Sequence, residues 1–325
     1  MEIEPKLGYL RNVEYNPLLI NYDSNYTTVN QFHLSSSTKE FEKLRPMLGG
    51  NLIVDIGCGQ GEFVEFLLER GEKAVGFDPV CRNDNKYLHS EIFNPRTGML
   101  PISDSAMVVF VMRCVLPHIV EPWIYLSNIF ERWPNARILL QHQRLEYFHK
   151  TSSWNSLMHD HVNLFTLDDF SSRYEVENCT VFGGGEWQQI LVSNKREEKI
   201  SIDKSKIQMI DDLENIREKH IDLLSHEAHV YIFGAAGKGI NFAFAAAQSG
   251  NPLKGAIDDL SSLTGKFLEC SGVEVLPNDY KKLPHLDDSI LLVMNHNHLE
   301  LARDRFQDFG RIESLATFHG RSVPI

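Results

Sequence analysis

The sequence predicts an α/β protein, with a Rossmann-like domain followed by a second, smaller Rossmann-like α/β domain. An apolar strand runs into a glycine-rich turn and then a helix at residues 51–71, and the same plan returns at residues 229–250. Between these two units, strand-like and helix-like segments alternate. That order is typical of a parallel sheet whose strands are joined by right-handed helical crossovers.

The first sheet is predicted from four apolar runs, each short enough to be a buried strand. They are NLIVDI, AVGFDP, MVVFVM and RILLQH, at residues 51–56, 74–79, 107–112 and 137–142. The segments EFVEFLLERG and WIYLSNIFERW carry apolar residues at helical spacing. We therefore expect helices over 62–71 and 123–133.

A polar, charged stretch divides the chain. KREEKISIDKSK (195–206) lacks periodic apolar residues and is predicted to be a linker, and an amphipathic helix follows it. We expect a first domain over residues 1–195, a linker and interdomain helix over 196–228, and a second domain over 229–325. The further strands expected in the second domain are AIDDL, VEVL and SILLVMN, at 256–260, 273–276 and 289–295.

Composition narrows the classes of partner. The formal net charge is −12, whereas proteins that grip phosphates of nucleic acid usually carry a basic excess. No apolar run approaches the ~20 residues of a membrane helix, and MEIEPKLGYLRN lacks the features of a signal peptide. The five cysteines include no C-x-x-C pair. We expect a cytoplasmic protein that acts on a small-molecule substrate. We expect it to bind neither nucleic acid nor a membrane and to contain no zinc ribbon.

The first glycine turn, VDIGCGQG (54–61), predicts the cofactor. Dinucleotide-binding turns have a third glycine at the position that Glu62 occupies, and a carboxylate there would repel a pyrophosphate. A strand-terminal acid followed by G-x-G-x-G instead suits a cationic ligand without phosphate, S-adenosylmethionine (SAM). The open alternative is a generic turn between a strand and a helix. The residues predicted to contact SAM here are Asp55, Gly57, Cys58, Gly59 and Gly61.

Further candidates follow the next strands, whose carboxyl ends meet at one edge of the sheet. Asp78 can accept hydrogen bonds from both ribose hydroxyls, or cap a turn. Phe93 can flank the adenine, or lie in the core. Arg113 and His118 follow the strand 107–112 as polar groups near the ligand, although His118 also fits a structural role at the start of a helix.

VDIGCGQGEF together with FDP resembles the SAM-binding core of class I methyltransferases. More narrowly, the chain resembles the SAM-dependent C-methyltransferases that act on nucleotide-linked keto-deoxysugars. The segments that carry this resemblance are WNSLMHDHVNLFTLDDF (154–170), FGGGEWQQILV (182–192), FGAAGKGINF (233–242), IDDLSSLTGKF (257–267) and LLVMNHN (291–297). The resemblance implies methyl transfer to a nucleotide-linked sugar and a second domain that walls the substrate side.

The segment NYDSNYTTVNQFHLSSSTKEF (21–41) is similar to the family's segment that closes over SAM, which makes Tyr22 a candidate substrate contact. Several positions depart from the family. Its N-terminal zinc module of paired cysteines is missing from this sequence. The core Tyr-His-Glu-His has Met158 and Asp160 in place of Tyr and Glu, and Cys114 and Gln141 replace an Asn and an acidic residue.

The stretch MHDHVNLF (158–165) carries the candidate catalytic residues. The resemblance implies that His161 is the general base, with His159 and Asp160 orienting it. Removing a proton next to a carbonyl needs a base, and histidine is suited to that task near neutral pH. A metal site needs a third ligand, and none is readable in the sequence, so we expect no metal. Structural polar residues are the remaining alternative.

The second glycine turn, GAAGKG (234–239), allows two interpretations. Its backbone N–H groups and Lys238 can hold a phosphate of the substrate, or the turn is kept for packing alone. Asp258 lies where a dinucleotide fold has its ribose-binding carboxylate. Asn295 matches an Asn of the family and is a candidate substrate contact, followed by His296 and His298.

The function predicted from all of this is SAM-dependent methyl transfer to a small polar metabolite, most simply a nucleotide-linked sugar. An O- or N-methyltransferase of another metabolite uses the same core. A SAM-binding scaffold without catalysis is the alternative from a different class.

Overall fold

The computed structural model describes residues 2–4, 9–11, 31–48, 51–81, 85–101, 107–158, 160–194, 205–251, 253–277 and 280–318. The chain divides into two compact units, one of residues 1–145 with 159–203 and the other of residues 146–158 with 204–325. The expected first domain ended at residue 195, whereas the segment 146–158 and the helix before residue 228 group with the second unit. The functional division of the chain stays a prediction.

The elements follow in chain order. They are β1 (Glu2–Glu4), β2 (Tyr9–Arg11), α1 (Gln31–Leu48), β3 (Leu52–Ile56), α2 (Glu62–Glu69), β4 (Lys73–Phe77), β5 (Leu88–His89), β6 (Val108–Arg113), α3 (Pro122–Arg132), β7 (Arg137–Gln143), α4 (Leu145–Lys150), β8 (Asn163–Leu164), α5 (Leu167–Ser171), β9 (Glu175–Phe182), β10 (Trp187–Ser193), α6 (Ser205–Leu224), β11 (Val230–Phe233), α7 (Gly237–Gln248), β12 (Gly255–Ile257), β13 (Ile290–Val293), α8 (Leu299–Arg305) and β14 (Arg311–Ser314).

The first unit is built on a seven-stranded sheet in the order β5-β4-β3-β6-β7-β10-β9. The strands β5, β4, β3, β6 and β7 pair in parallel, and β10 runs antiparallel to both β7 and β9. This is the predicted Rossmann-like α/β fold, and all four predicted strands are present. A small antiparallel sheet of β1, β2 and β8 accompanies it.

Both faces of the seven-stranded sheet are covered, as continuous apolar strands require. On one face Phe110 and Trp133 pack with 5.1 Å between their ring centroids, in a core to which α3 contributes. On the other face Phe41 of α1 meets Phe63 of α2 edge to face at 5.0 Å. The sheet therefore lies between two packed layers.

The second unit contains a parallel four-stranded sheet in the order β12-β11-β13-β14. Its core includes Phe233, Leu291 and Phe306, and Phe233 meets Phe306 edge to face. The prediction of a strand at 273–276 is wrong. In this segment Val275 forms an isolated bridge with Ala256, and Glu274 forms one with Phe267. Within the described ranges, no helix is both long and apolar enough to cross a membrane.

Candidate active site

The first glycine turn follows β3 directly, at the carboxyl edge of the sheet. Gly57 and Gly59 have φ angles of +71° and +57°, a region that side chains rarely adopt. A Cβ on Gly57 would lie 2.3 Å from Cγ2 of Val115, in the loop after β6. Around a Cβ on Gly59 no atom of the described residues lies within 4 Å. Gly57 therefore packs the turn against that loop, and Gly59 leaves its outer face open to a ligand. Gly61 precedes the first residue of α2.

Asp55 is a fully buried carboxylate one residue before the end of β3. Its Oδ2 lies 3.4 Å from Nη2 of Arg113, whose guanidinium lies over the Phe63 ring at 4.0 Å. Burial raises the pKa of Asp55 to about 6, although Arg113 acts against it. Among the described residues its Oδ1 has no hydrogen-bond partner. The site thus holds a buried acid with an acceptor atom to spare, which fits a cationic ligand.

Asp78 ties the turn to the strand beside it. Its Oδ2 accepts a hydrogen bond from the Gly59 N–H at 3.1 Å, and its Oδ1 accepts one from the Val80 N–H at 2.9 Å. Each carboxylate oxygen can accept a second hydrogen bond. Asp78 is therefore both a brace of the turn and an acceptor at its open side, and its contact with ribose stays a prediction.

Two of the predicted cofactor contacts are largely enclosed by protein. Cys58 is buried, and Gly76 of β4 makes room for it, since a Cβ there would lie 2.7 Å from the sulfur. Burial raises the pKa of the Cys58 thiol above its ordinary value. Phe93 is 2% exposed and packs against Phe77 and Trp133. Phe93 is thus placed as a core phenylalanine, one of the two roles that the sequence left open.

A polar cluster, which we name the acceptor cluster, is formed by His118, Asp160 and His161. One ligand-capable atom from each of the three side chains lies within 4.8 Å of the other two. His118 Nδ1 donates a hydrogen bond to the backbone carbonyl of Asp160 at 2.8 Å and lies 3.8 Å from Oδ2 of that residue. The rings of His118 and His161 are 5.0 Å apart. His159 lies outside the described residues, as does Tyr22.

The surroundings of His161 favour its neutral form. Burial lowers its pKa, His118 and His142 act in the same direction, and Asp160 opposes them. Its imidazole therefore keeps a lone pair that can accept a proton or bind a cation.

The backbone around the acceptor cluster is fixed by buried polar residues. Asn163 of β8 is buried and donates to the carbonyl of Ile119 at 2.6 Å, which links the His161 segment to the loop that carries His118. His142 of β7 has a pKa lowered to about 4 by burial and accepts a hydrogen bond from the Gln188 amide at 3.1 Å. The loop that ends at His118 also contains Val115, so the glycine turn and the acceptor cluster share one structural support.

Sequence reasoning placed His118 near the site but did not pair it with Asp160 and His161. His118 lies 42 positions before Asp160 in the chain, so no sequence spacing reveals their contact. The usable signal was the position of His118 after a predicted strand at the ligand edge of the sheet. Two of the residues that depart from the resembled family have structural roles. Gln141 hydrogen-bonds to Gln189, and Cys114 has a φ of +60° with its N–H bonded to the Gln141 carbonyl.

The second glycine turn is partly exposed and has contacts within its own unit. Its Asp258 accepts hydrogen bonds from the N–H groups of Ala235 at 2.7 Å and Leu260 at 2.8 Å. A Cβ on Gly237 would lie 2.9 Å from Cε of Met158. The Asn155 side chain donates to the Lys238 carbonyl at 3.3 Å. The segment around Met158 therefore lies against the face that a phosphate would occupy.

The remaining predicted substrate contacts have local partners. Lys238 is the second residue of α7 and half-buried. The side chain of Asn295 accepts a hydrogen bond from the Asn297 N–H at 3.1 Å, capping the turn that follows β13. His296 Nδ1 lies 2.7 Å from the Ser314 hydroxyl. The contacts of Lys238 and Asn295 with substrate stay predictions.

Comparison with known proteins identifies the class. Residues 38–181 match the model of a family described as a methyltransferase domain. The matched region runs from α1 to β9 and contains the glycine turn, Asp55, Asp78 and the acceptor cluster. No curated protein matches the chain.

Solved structures are similar to about half of the chain, each at a TM-score of 0.34. The N-methyltransferase NodS from Bradyrhizobium japonicum WM9 is 9% identical, over 52% of this chain and 99% of its own. A SAM-dependent methyltransferase from Aquifex aeolicus is 11% identical, over 53% and 98%. A geranyl diphosphate methyltransferase in complex with SAM is 15% identical, over 55% and 94%. The substrates and ligands in these names belong to those proteins.

Through the match of residues 38–181 to a methyltransferase domain, the predictions of a SAM-dependent methyltransferase and of SAM as its cofactor are confirmed. The residues present fit this cofactor. Gly59 leaves space for it, and Asp55 keeps a buried acceptor oxygen among the described residues.

Proposed function

We propose that the protein transfers the methyl group of SAM to a nucleotide-linked sugar, with His161 as the base on the acceptor side. The resemblance of 154–170 and of the second unit's segments to the sugar C-methyltransferases supports this substrate class. The observation that carries the proposal is the acceptor cluster, which places a neutral histidine beside His118 and Asp160 on the loop that packs against the glycine turn.

Methyl transfer requires that the chain hold the methyl donor, remove the acceptor's proton and align the two reactants. SAM supplies an electrophilic methyl group when bound. Asp55 and Asp78 are proposed to hold it, with Gly59 giving it room. The acceptor atom loses its proton to the ring nitrogen of His161, and its electron pair then forms the bond to the methyl carbon while the sulfur keeps the pair of the broken bond. Holding both reactants in line can lower the barrier by ~7–11 kcal/mol.

Asp160 and His118 are proposed as positioning residues. The hydrogen bond from His118 to the Asp160 carbonyl fixes the loop on which His161 stands. Lys238, Asn295 and Tyr22 are proposed contacts of the nucleotide-linked part of the substrate. A cytoplasmic location is part of the proposal, since nucleotide-linked sugars are water-soluble metabolites.

The test is to measure turnover with SAM and a panel of nucleotide-linked keto-sugars, detected as release of S-adenosylhomocysteine. We expect turnover with a keto-sugar and a new C–CH3 signal in the NMR spectrum of the product. We expect His161→Ala to lose 10²-fold or more in kcat, since general bases contribute about 10²–10⁴-fold, and to bind S-adenosylhomocysteine as the wild type does. A product with an O–CH3 or N–CH3 group would replace the reaction type. Wild-type turnover by His161→Ala would remove the base.

A further inference from the structure

We propose that the acceptor cluster of His118, Asp160 and His161 is a binding site for one divalent transition-metal ion. Two histidines and one carboxylate are the protein ligands of catalytic zinc sites that keep a position open for water or substrate. Here one ligand-capable atom from each side chain lies within 4.8 Å of the other two. Ligands at ~2.0–2.2 Å from a metal lie about 3–3.5 Å apart, so the three side chains need to draw together by about 1 Å or more to hold an ion.

The hydrogen bonding of His118 is the second observation. A carbonyl oxygen only accepts hydrogen bonds, so the contact of 2.8 Å between His118 Nδ1 and the Asp160 carbonyl places the proton on Nδ1. The other ring nitrogen, Nε2, is then the unprotonated one. Metal-binding histidines characteristically donate their second ring N–H to a carboxylate or a backbone carbonyl, which fixes the tautomer and the ring orientation.

The support of the cluster favours a preformed site. His118 ends a 3-10 helix of residues Leu116–His118, and the Asn163 side chain ties the neighbouring Ile119 carbonyl to β8. The side chains of His118 and Asp160 are 23% and 15% exposed. They are thus buried enough to be held in place and open enough to leave coordination positions for water or an acceptor oxygen.

The donor set also indicates which ions fit. Imidazole nitrogen suits zinc, cobalt, nickel and copper, whereas magnesium and calcium prefer sites made of oxygen alone. We therefore expect Zn²⁺ and Co²⁺ to bind, and Mg²⁺ to leave the site unchanged.

The consequence for catalysis rests on the proposed function. An ion at this site would hold an oxygen of the acceptor and draw electron density from it. With an ion bound, the ring lone pair of His161 is used in coordination; in the metal-free site it stays available for the proton of the acceptor, as in the proposed function. Turnover that persists in the presence of a chelator assigns His161 as the base, and turnover that a chelator abolishes assigns it as a ligand. Metal binding itself is measured without substrate.

The experiment is a titration of tag-free, chelator-treated full-length protein with Co²⁺, followed by visible absorption, and with Zn²⁺ in competition. We expect one equivalent to bind, and His118→Ala, Asp160→Asn and His161→Ala each to weaken binding by at least tenfold. His149→Ala is the matched control, since His149 and Asp212 form a surface pair of 2.8 Å without a third ligand in the described residues. It should bind Co²⁺ as the wild type does.

Folding of every variant is checked by its thermal transition and by binding of S-adenosylhomocysteine, neither of which needs the metal. Absence of saturable Co²⁺ binding by a wild type that binds S-adenosylhomocysteine would overturn the site. So would unchanged affinity in His161→Ala, or an equal loss in His149→Ala. If methyl transfer also fails in the panel of nucleotide-linked sugars while Co²⁺ binds, the substrate proposal falls and the metal site stands.

Discussion

The two glycine turns of this chain, at residues 57–61 and 234–239, have the same framework. Each follows a buried parallel strand, and each has an aspartate after the neighbouring strand that accepts a hydrogen bond from the turn. In the first this is Asp78 with the Gly59 N–H, and in the second Asp258 with the Ala235 N–H. The hydrogen bonds within the turns therefore do not distinguish a cofactor site from a packing motif.

The surroundings of the two turns do differ. Counting back from the first glycine of each turn, the first strand has the buried carboxylate Asp55 where the second has Ile232. A Cβ added to Gly59 would meet no atom of the described residues within 4 Å, whereas one added to Gly237 would lie 2.9 Å from Cε of Met158, although Gly237 itself is exposed. The buried charge, rather than the number of glycines, distinguishes the first turn and supports the proposal that SAM binds there.

The largest expected effect is on the buried acid. Asp55→Ala leaves Arg113 without its buried partner, which should lower the free energy of unfolding by about 3–5 kcal/mol. Ile232→Val, at the matching position of the second strand, should cost about 0.5–1.5 kcal/mol. Denaturant unfolding measures both. Equal losses in the two variants would contradict a special role for the charge.

The pH dependence of stability follows from the same residue. Because burial raises the pKa of Asp55 from 3.8 to about 6, the folded protein binds its proton more tightly than the unfolded chain does. Ionising Asp55 therefore costs stability as pH rises from about 4 to 6, by roughly 3 kcal/mol at 1.36 kcal/mol for each pKa unit. Asp78 and Glu62 add to this shift and Arg113 opposes it.

The measurement is the difference in unfolding free energy between the wild type and Asp55→Asn across that range. We expect the wild type to lose ground relative to Asp55→Asn as pH rises. The corresponding difference for Ile232→Val should be constant, since no titratable group is removed. A flat Asp55→Asn profile would show that the acid ionises as it does in the unfolded chain.

A smaller effect is expected at the open glycine. Gly59→Ala forces a side chain into a left-handed conformation, at a cost of about 1–2 kcal/mol, and projects a methyl group into the free space. We expect S-adenosylhomocysteine to bind at least tenfold more weakly by isothermal titration. Gly237→Ala, in the second turn, should leave that affinity unchanged even if it lowers stability. The reverse pattern would place the cofactor at the second turn.

Sequence patterns predicted what depends on neighbours in the chain. The strands of the first sheet and its glycine turn could be predicted because their signals lie within ten residues of one another. The acceptor cluster could not be predicted as a set, because His118 meets Asp160 only after the sheet has formed. The contact of Met158 with Gly237 and the core position of Phe93 likewise depend on packing between distant segments. VEVL has the composition of a strand but makes only isolated bridges.

Titration of S-adenosylhomocysteine into a matched pair of variants decides whether the first turn holds the cofactor. We expect one equivalent bound by the wild type, loss of binding in Asp78→Ala, and retention of wild-type binding in Asp258→Ala. Two equivalents in the wild type, or loss in Asp258→Ala with retention in Asp78→Ala, would contradict this expectation.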